Sequence, residues 1–362
     1  MKSGAPQAKT VILTLIVFVN LALAAQPQPF PLYLSPNNSS AGTNVEGKSM
    51  VLQPIEMNRV PLGVAIQQLA RQARMNIIFD DQLWEWWGMT GYFGRAVHPE
   101  PVLTFRWTDI TPKRALQRLL QEQGMVLVED PQTFVAQVTF TNHVVTIAPL
   151  DTNIFGNDQP LVPGNDPAQI PLIEFEDVPL TVALENLARQ ADFNYVLDPQ
   201  IGYNQPDKDG QIKPEPVISC YWENITAKQG LMALLKKYGF TVSKDPASPV
   251  LLVRAKNHPV HFVDVTLLGN DTNVIPLIKF EGVPLTFALV NLAQQAKINY
   301  LLDPNIGYGQ EDKDGNIKIE PTVNIRWENL TARQAFISLC ENYNFIFIKN
   351  PATDVIRIKS DE

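Results

Sequence analysis

A stretch beginning at Pro171 reads PLIEFEDVPLTVALENLARQADFNYVLDP and returns from Pro276 as PLIKFEGVPLTFALVNLAQQAKINYLLDP. A more distant copy, PIEMNRVPLGVAIQQLARQARMNIIFDD, runs from Pro54 to Asp81. A chain that uses one unit three times solves the same packing problem three times, so the repeat governs every other expectation. Pro61 and Pro179 stand 118 residues apart, and Pro179 and Pro284 stand 105 apart. Those intervals exceed the periods of solenoids, and each copy carries both faces of a core. The expectation is therefore three small domains in tandem.

Within a copy the apolar residues change period where a strand hands over to a helix. Ile173 and Phe175 alternate with Glu174 and Glu176, as on a half-buried strand. Pro179 then stands at helix entry, where its fixed φ is favourable and its missing N–H costs nothing. Leu180, Ala183, Leu184, Leu187, Ala188 and Ala191 follow at helical spacing, and the other copies draw the same stripe.

A second half follows in each copy: VLTFRWTDITPKRALQRLLQEQG from Val102, VISCYWENITAKQGLMALLKKYG from Val217 and VNIRWENLTARQAFISLCENYN from Val323. Thr226 with Gln229 and Thr331 with Gln334 predict capping boxes; the first copy has Arg114 in place of the glutamine. Two short strands, such as FTVSKDP and VLLVRA, close the unit. The predicted order is strand, helix, strand, strand, helix, strand, strand. The fold class is α+β, with two helices packed on small mixed sheets in each domain.

The motifs VPLxxALxxLARQA, NYxLDP and WENxTAxQxLxxLL, which recur in order over most of residues 51 to 359, carry a resemblance. The chain resembles tandem repeats of the short N-terminal domain shared by secretins and TonB-dependent receptors. That resemblance implies a periplasmic docking or ring-forming module. It also implies as partner an outer-membrane secretin or receptor, or an inner-membrane platform component of a transport or secretion machine. Such domains usually precede an outer-membrane barrel; here the chain stops at Glu362 with the third copy, and a module without its own barrel is expected.

Lys2 and Lys9 precede an apolar run from Val11 to Ala25, and Ala22, Leu23 and Ala24 form a small-x-small cleavage site, so residues 1–25 read as a secretory signal peptide. Residues 26–50 are rich in Pro, Asn, Ser and Gly and read as a flexible linker. Domains are expected over 51–148, 149–256 and 257–362, the last two each including a connector. The related connectors, with turns at Gly156-Asn157-Asp158 and Gly269-Asn270-Asp271, predict a fixed pose between domains. A formal net charge of -8 argues against nucleic acid as partner. Cys220 and Cys340 fall at non-equivalent repeat positions, which predicts buried free thiols rather than a bridge.

Between its two halves the first copy carries LWEWWGMTGYFGR, which gathers Trp84, Trp86, Trp87, Tyr92 and Phe93. Such rings grip protein partners or stack on sugars, so they are the candidate binding residues, and a cell-wall glycan binder is the alternative function; the other account of them is packing back on the first copy or against the second. Asp207 and Asp209, with Asp312 and Asp314, resemble the front of a calcium loop. Gln205, Gln310, Pro216 and Pro321 occupy its first and twelfth positions, so hairpin turns are the better account. Trp107, Trp222 and Trp327 share one repeat position and predict a shared packing role. His98, His143, His258 and His261 lack ligand spacing, and no nucleophile motif stands out. Triplication favours a binding surface over an active site, so no enzyme activity and no cofactor are expected. Sheets with free edges suit edge-strand pairing with envelope proteins, or self-association.

Overall fold

The computed structural model describes residues 54–83, 99–142, 150, 154, 169–203, 211–244, 247–256, 258, 261–268, 272–306, 308–309, 318–349 and 355–360. The first copy comprises β1 (Ile55–Pro61), α1 (Leu62–Gln72), β2 (Asn76–Phe79), β3 (Val102–Trp107), α2 (Pro112–Glu122), β4 (Met125–Glu129) and β5 (Val135–Phe140). The second comprises β6 (Gln169–Pro179), α3 (Leu180–Gln190), β7 (Asn194–Leu197), β8 (Val217–Thr226), α4 (Ala227–Lys237), β9 (Thr241–Lys244) and β10 (Val250–Arg254). The third repeats the order with β11 (Val274–Pro284), α5 (Leu285–Ala296), β12 (Tyr300–Leu302), β13 (Thr322–Thr331), α6 (Ala332–Asn342), β14 (Phe345–Lys349) and β15 (Ile356–Ser360). The class is α+β, as expected.

In each copy the first and third strands pair antiparallel, while the second runs parallel to the last, which pairs antiparallel with the one before it. Both helices share one core with these strands. In the first copy Met57, Ile66, Leu69, Phe79, Leu116 and Val138 meet in it. Each fully buried Leu or Ile contributes roughly 1.5–3 kcal/mol, which makes these stripes the main source of cohesion.

Helix entry departs from the sequence reading in one detail. Pro61, Pro179 and Pro284 stand at the N-cap itself and provide no side-chain cap. The missing acceptor comes from across the unit. Glu100 accepts from the Gly63 N–H at 2.6 Å and Glu320 from the Thr286 N–H at 2.5 Å, and Glu215 does the same for Thr181. The proline after each glutamate supplies a carbonyl to the next donor: Pro101, Pro216 and Pro321 accept from Leu62, Leu180 and Leu285. A negative group at a helix N-terminus also suits the helix dipole. At entry to α4 and α6 both capping boxes are present, and Thr111 caps α2 without one, as Arg114 led us to expect.

The first strand of each copy carries a bulge at Arg59, Asp177 or Gly282, all at positive φ. The bulge N–H is held by the opposite strand, through Thr104, Ser219 and Asn324. Glycine at 282 adopts this conformation without the steric cost that Arg59 and Asp177 bear.

The copies are not independent domains each closing its own core. Strands β4, β5, β2, β8 and β6 form one five-stranded sheet that crosses from the first copy to the second. Ile78 and Val135, from the first copy, belong to the core of the second; Val196, Val250 and Leu252, from the second, belong to the core of the third. The small sheet of each of these two copies thus packs one face on its own helices and the other on the copy that follows. Residues Val51–Glu362 accordingly form one compact unit.

Candidate interaction site

The polar groups that bind one copy to the next follow a single pattern used twice. Asn76 opens β2, and its side chain donates to the Glu223 carbonyl at 3.0 Å and accepts from the Glu223 N–H at 2.8 Å. Asn194 opens β7 and treats Glu328 identically, at 2.8 Å in both directions. A primary amide presents one acceptor and two donors, so it can serve a backbone N–H and C=O at once, as a neighbouring strand would. Beside each amide an indole completes the joint: Trp222 donates to the Ile77 carbonyl at 2.8 Å and Trp327 to the Tyr195 carbonyl at 2.7 Å. Both indoles are fully buried, so a missing acceptor would leave an uncompensated donor. The residue two beyond each of these tryptophans, Asn224 or Asn329, takes positive φ.

The second helix of the following copy lies against the same face. Eight residues of α4 and nine of α6 are buried, whereas α2, which follows no described copy, buries Ala115, Leu116, Leu119 and Leu120 only. At the equivalent outward positions α4 has Met232 and Ala233, α6 has Ile337 and Ser338, and α2 has exposed Gln117 and Arg118. The helix sequences carried this signal, since LMALL and FISLC are apolar around most of the turn while LQRLL is not.

Each joint adds contacts of its own. In the first, buried Lys236 meets buried Asp130 at 2.8 Å and also reaches Gln132, and Lys237 meets Asp81 at 2.6 Å. Arg71 stacks on the Tyr221 ring, 4.0 Å from its centroid. In the second, Asn342 donates to the Leu197 carbonyl at 2.9 Å, and Arg254 reaches the Glu341 carbonyl at 2.6 Å and Asn344 at 2.9 Å. Arg254 thereby places a cation at the C-terminal end of α6, where the helix dipole favours one. His258 bridges Asp198 and Asn344 beside it. Burial pushes the Tyr238 phenol up, with Asp81 adding to it, and pushes Tyr343 up as well. The Tyr238 and Tyr343 phenols beside the joints therefore stay neutral.

Trp107 is the exception that the shared-packing reading missed. It lies half-buried, stacked on Phe105 at 4.1 Å with the Arg118 guanidinium 5.2 Å from its ring, and no described residue accepts from its indole. The three tryptophans share a position, but among the described residues only Trp222 and Trp327 have a preceding copy to bind. The aromatic candidates Trp84, Trp86, Trp87, Tyr92 and Phe93 lie outside the described residues, as do Asp207, Asp209, Asp312 and Asp314, the two Gly-Asn-Asp turns, His98 and His143. Cys220 and Cys340 are free and buried, as expected. Among the described residues no cluster of His, Cys, Asp and Glu is grouped to hold a metal, and no helix is long and apolar enough to cross a membrane.

Sequence reasoning took Asn194 only as part of the NYxLDP motif and passed over Asn76, although asparagine recurs at the second strand in all three copies as Asn76, Asn194 and Asn299. It also passed over the Glu-Pro pairs at 100, 215 and 320. In comparisons with known proteins, no family model, curated protein or solved structure matches the chain.

Proposed function

We propose that the chain is a non-enzymatic scaffold of the periplasm whose three repeated domains bind other proteins, serving a secretin-type or other outer-membrane transport machine. One observation carries the reading: the unit's most elaborate constellation, the asparagine amide with the tryptophan indole, is used twice to hold another domain. A repeated domain built around gripping its neighbour is a docking element, and copies in series extend reach and add avidity. The motifs quoted from the sequence supply the envelope setting. In-cell crosslinking of the full chain, followed by affinity capture from envelope extracts and mass spectrometry, tests it. Recovery of an outer-membrane barrel or inner-membrane platform protein is the expected result. Recovery of glycan fragments, or of the chain alone, would overturn it.

A further inference from the structure

The third copy carries the donor half of the joint with nothing described upon it. Asn299 occupies the place of Asn76 and Asn194; it is exposed, and its side-chain amide makes no hydrogen bond among the described residues. Leu301 follows in the place of Ile78 and Val196. Those two are 4% and 5% exposed in the joints, whereas Leu301 is 55% exposed. Strand β12 is an edge of its sheet, as β7 is, and Ile348 on β14 of that sheet is 43% exposed. Lys359 stands where Arg254 meets the end of α6, and it has no ion-pair partner among the described residues. An edge strand, an unused amide, apolar side chains and a cation therefore recur in the arrangement that elsewhere receives a domain.

We infer that this face of the third copy is a docking site for a further domain of the same fold on another polypeptide. The inference rests on the scaffold reading and names the partner's chemistry. The occupant presents a tryptophan strand whose indole reaches the Tyr300 carbonyl, and a backbone N–H and C=O for Asn299. Its second helix is apolar on the outward side and ends over Lys359. Continuity with the two internal joints argues for the fold. Side-chain chemistry argues against the first copy of a second identical chain: α2 has Gln117 and Arg118 at the positions that a joint buries, where α4 has Met232 and Ala233 and α6 has Ile337 and Ser338, and desolvating them there would be disfavoured.

The test uses the full chain as its own probe. Gln117→Met with Arg118→Ala gives the first copy the residues found at 232 and 233. In sedimentation velocity this variant is expected to self-associate head to tail, while the unaltered chain self-associates at least about tenfold more weakly. Adding Asn299→Ala and Leu301→Asp should abolish the association. A variant that sediments like the unaltered chain, or one that associates equally with Asn299 and Leu301 replaced, overturns the inference. In cells, a photocrosslinker at position 301 should label a peptide containing a strand tryptophan or the helix after it; an adduct on another kind of segment overturns the assignment of partner. If envelope proteins are captured through position 287 on α5 and none through 301, the scaffold reading stands and this inference alone falls.

Discussion

Replacing Asn194 by alanine removes two hydrogen bonds of 2.8 Å and leaves the Glu328 N–H and C=O without their partner. A buried polar group so orphaned costs about 1–3 kcal/mol. The site is only part-buried, so water recovers some of that, and a loss of about 2 kcal/mol for the pair is expected. The magnitude alone would not distinguish a joint from any other hydrogen bond; the comparison among copies does. Asn76→Ala should cost a similar amount, because it breaks the same pair with Glu223. Asn299→Ala breaks no described hydrogen bond and should stay within about 0.5 kcal/mol of the parent. Urea unfolding, followed by tryptophan fluorescence and far-UV circular dichroism, reads this directly. With a slope of about 2 kcal/mol per molar, a loss of about 2 kcal/mol moves a midpoint by about 1 M. Because the third copy borrows Val196, Val250 and Leu252 for its core, Asn194→Ala should also separate its unfolding from that of the second copy. Equal midpoints for the 194 and 299 variants would refute the reasoning.

Trp327→Phe should cost about 1–3 kcal/mol by orphaning the Tyr195 carbonyl, whereas Trp107→Phe should cost much less; the same urea experiment compares them. Lys236→Ala leaves the Asp130 carboxylate buried and unpaired, and a loss of about 3–5 kcal/mol is expected in the same assay. Burial pushes the Cys220 thiol from 9.0 up to about 12, and Cys340 also lies well above its usual value, so neither should react with a thiol reagent until the chain unfolds. The same burial sets the sign of the pH dependence. The folded state holds these protons, and that of Tyr203, raised from 10.0 to about 12, where the unfolded state releases them. Stability is thus unaffected by them below pH about 9 and falls as pH rises from there toward about 12, which thermal melts across that range will show.

The helices, their buried stripes, both capping boxes and the order of elements could be read from the sequence because each depends on spacing within one copy. Leu180, Ala183, Leu184, Leu187 and Ala188 are all buried, as their period requires. The joints could not be read in that way. Alternation tells which side chains share a face of β7, but not that a second copy covers Val196 on the side away from its own helices. Asn194 shows in the sequence as part of the recurring NYxLDP motif, but its function depends on Glu328, 134 positions later. The clue lay in comparing copies: α4 and α6 are apolar beyond a single stripe, and α2 is not. The Glu-Pro caps were hidden for the same reason, since Glu215 acts on Thr181 from 34 residues away.

Two like joints hold the three copies as one body. Spin labels at Arg118→Cys and Gln294→Cys, both exposed, sit on the first and third copies, and the buried native thiols leave them as the reactive pair. Pulsed dipolar spectroscopy on this protein should give one narrow distance distribution that broadens when Asn194→Ala is added. A distribution already broad with Asn194 in place would mean that the copies move independently, and would contradict the account.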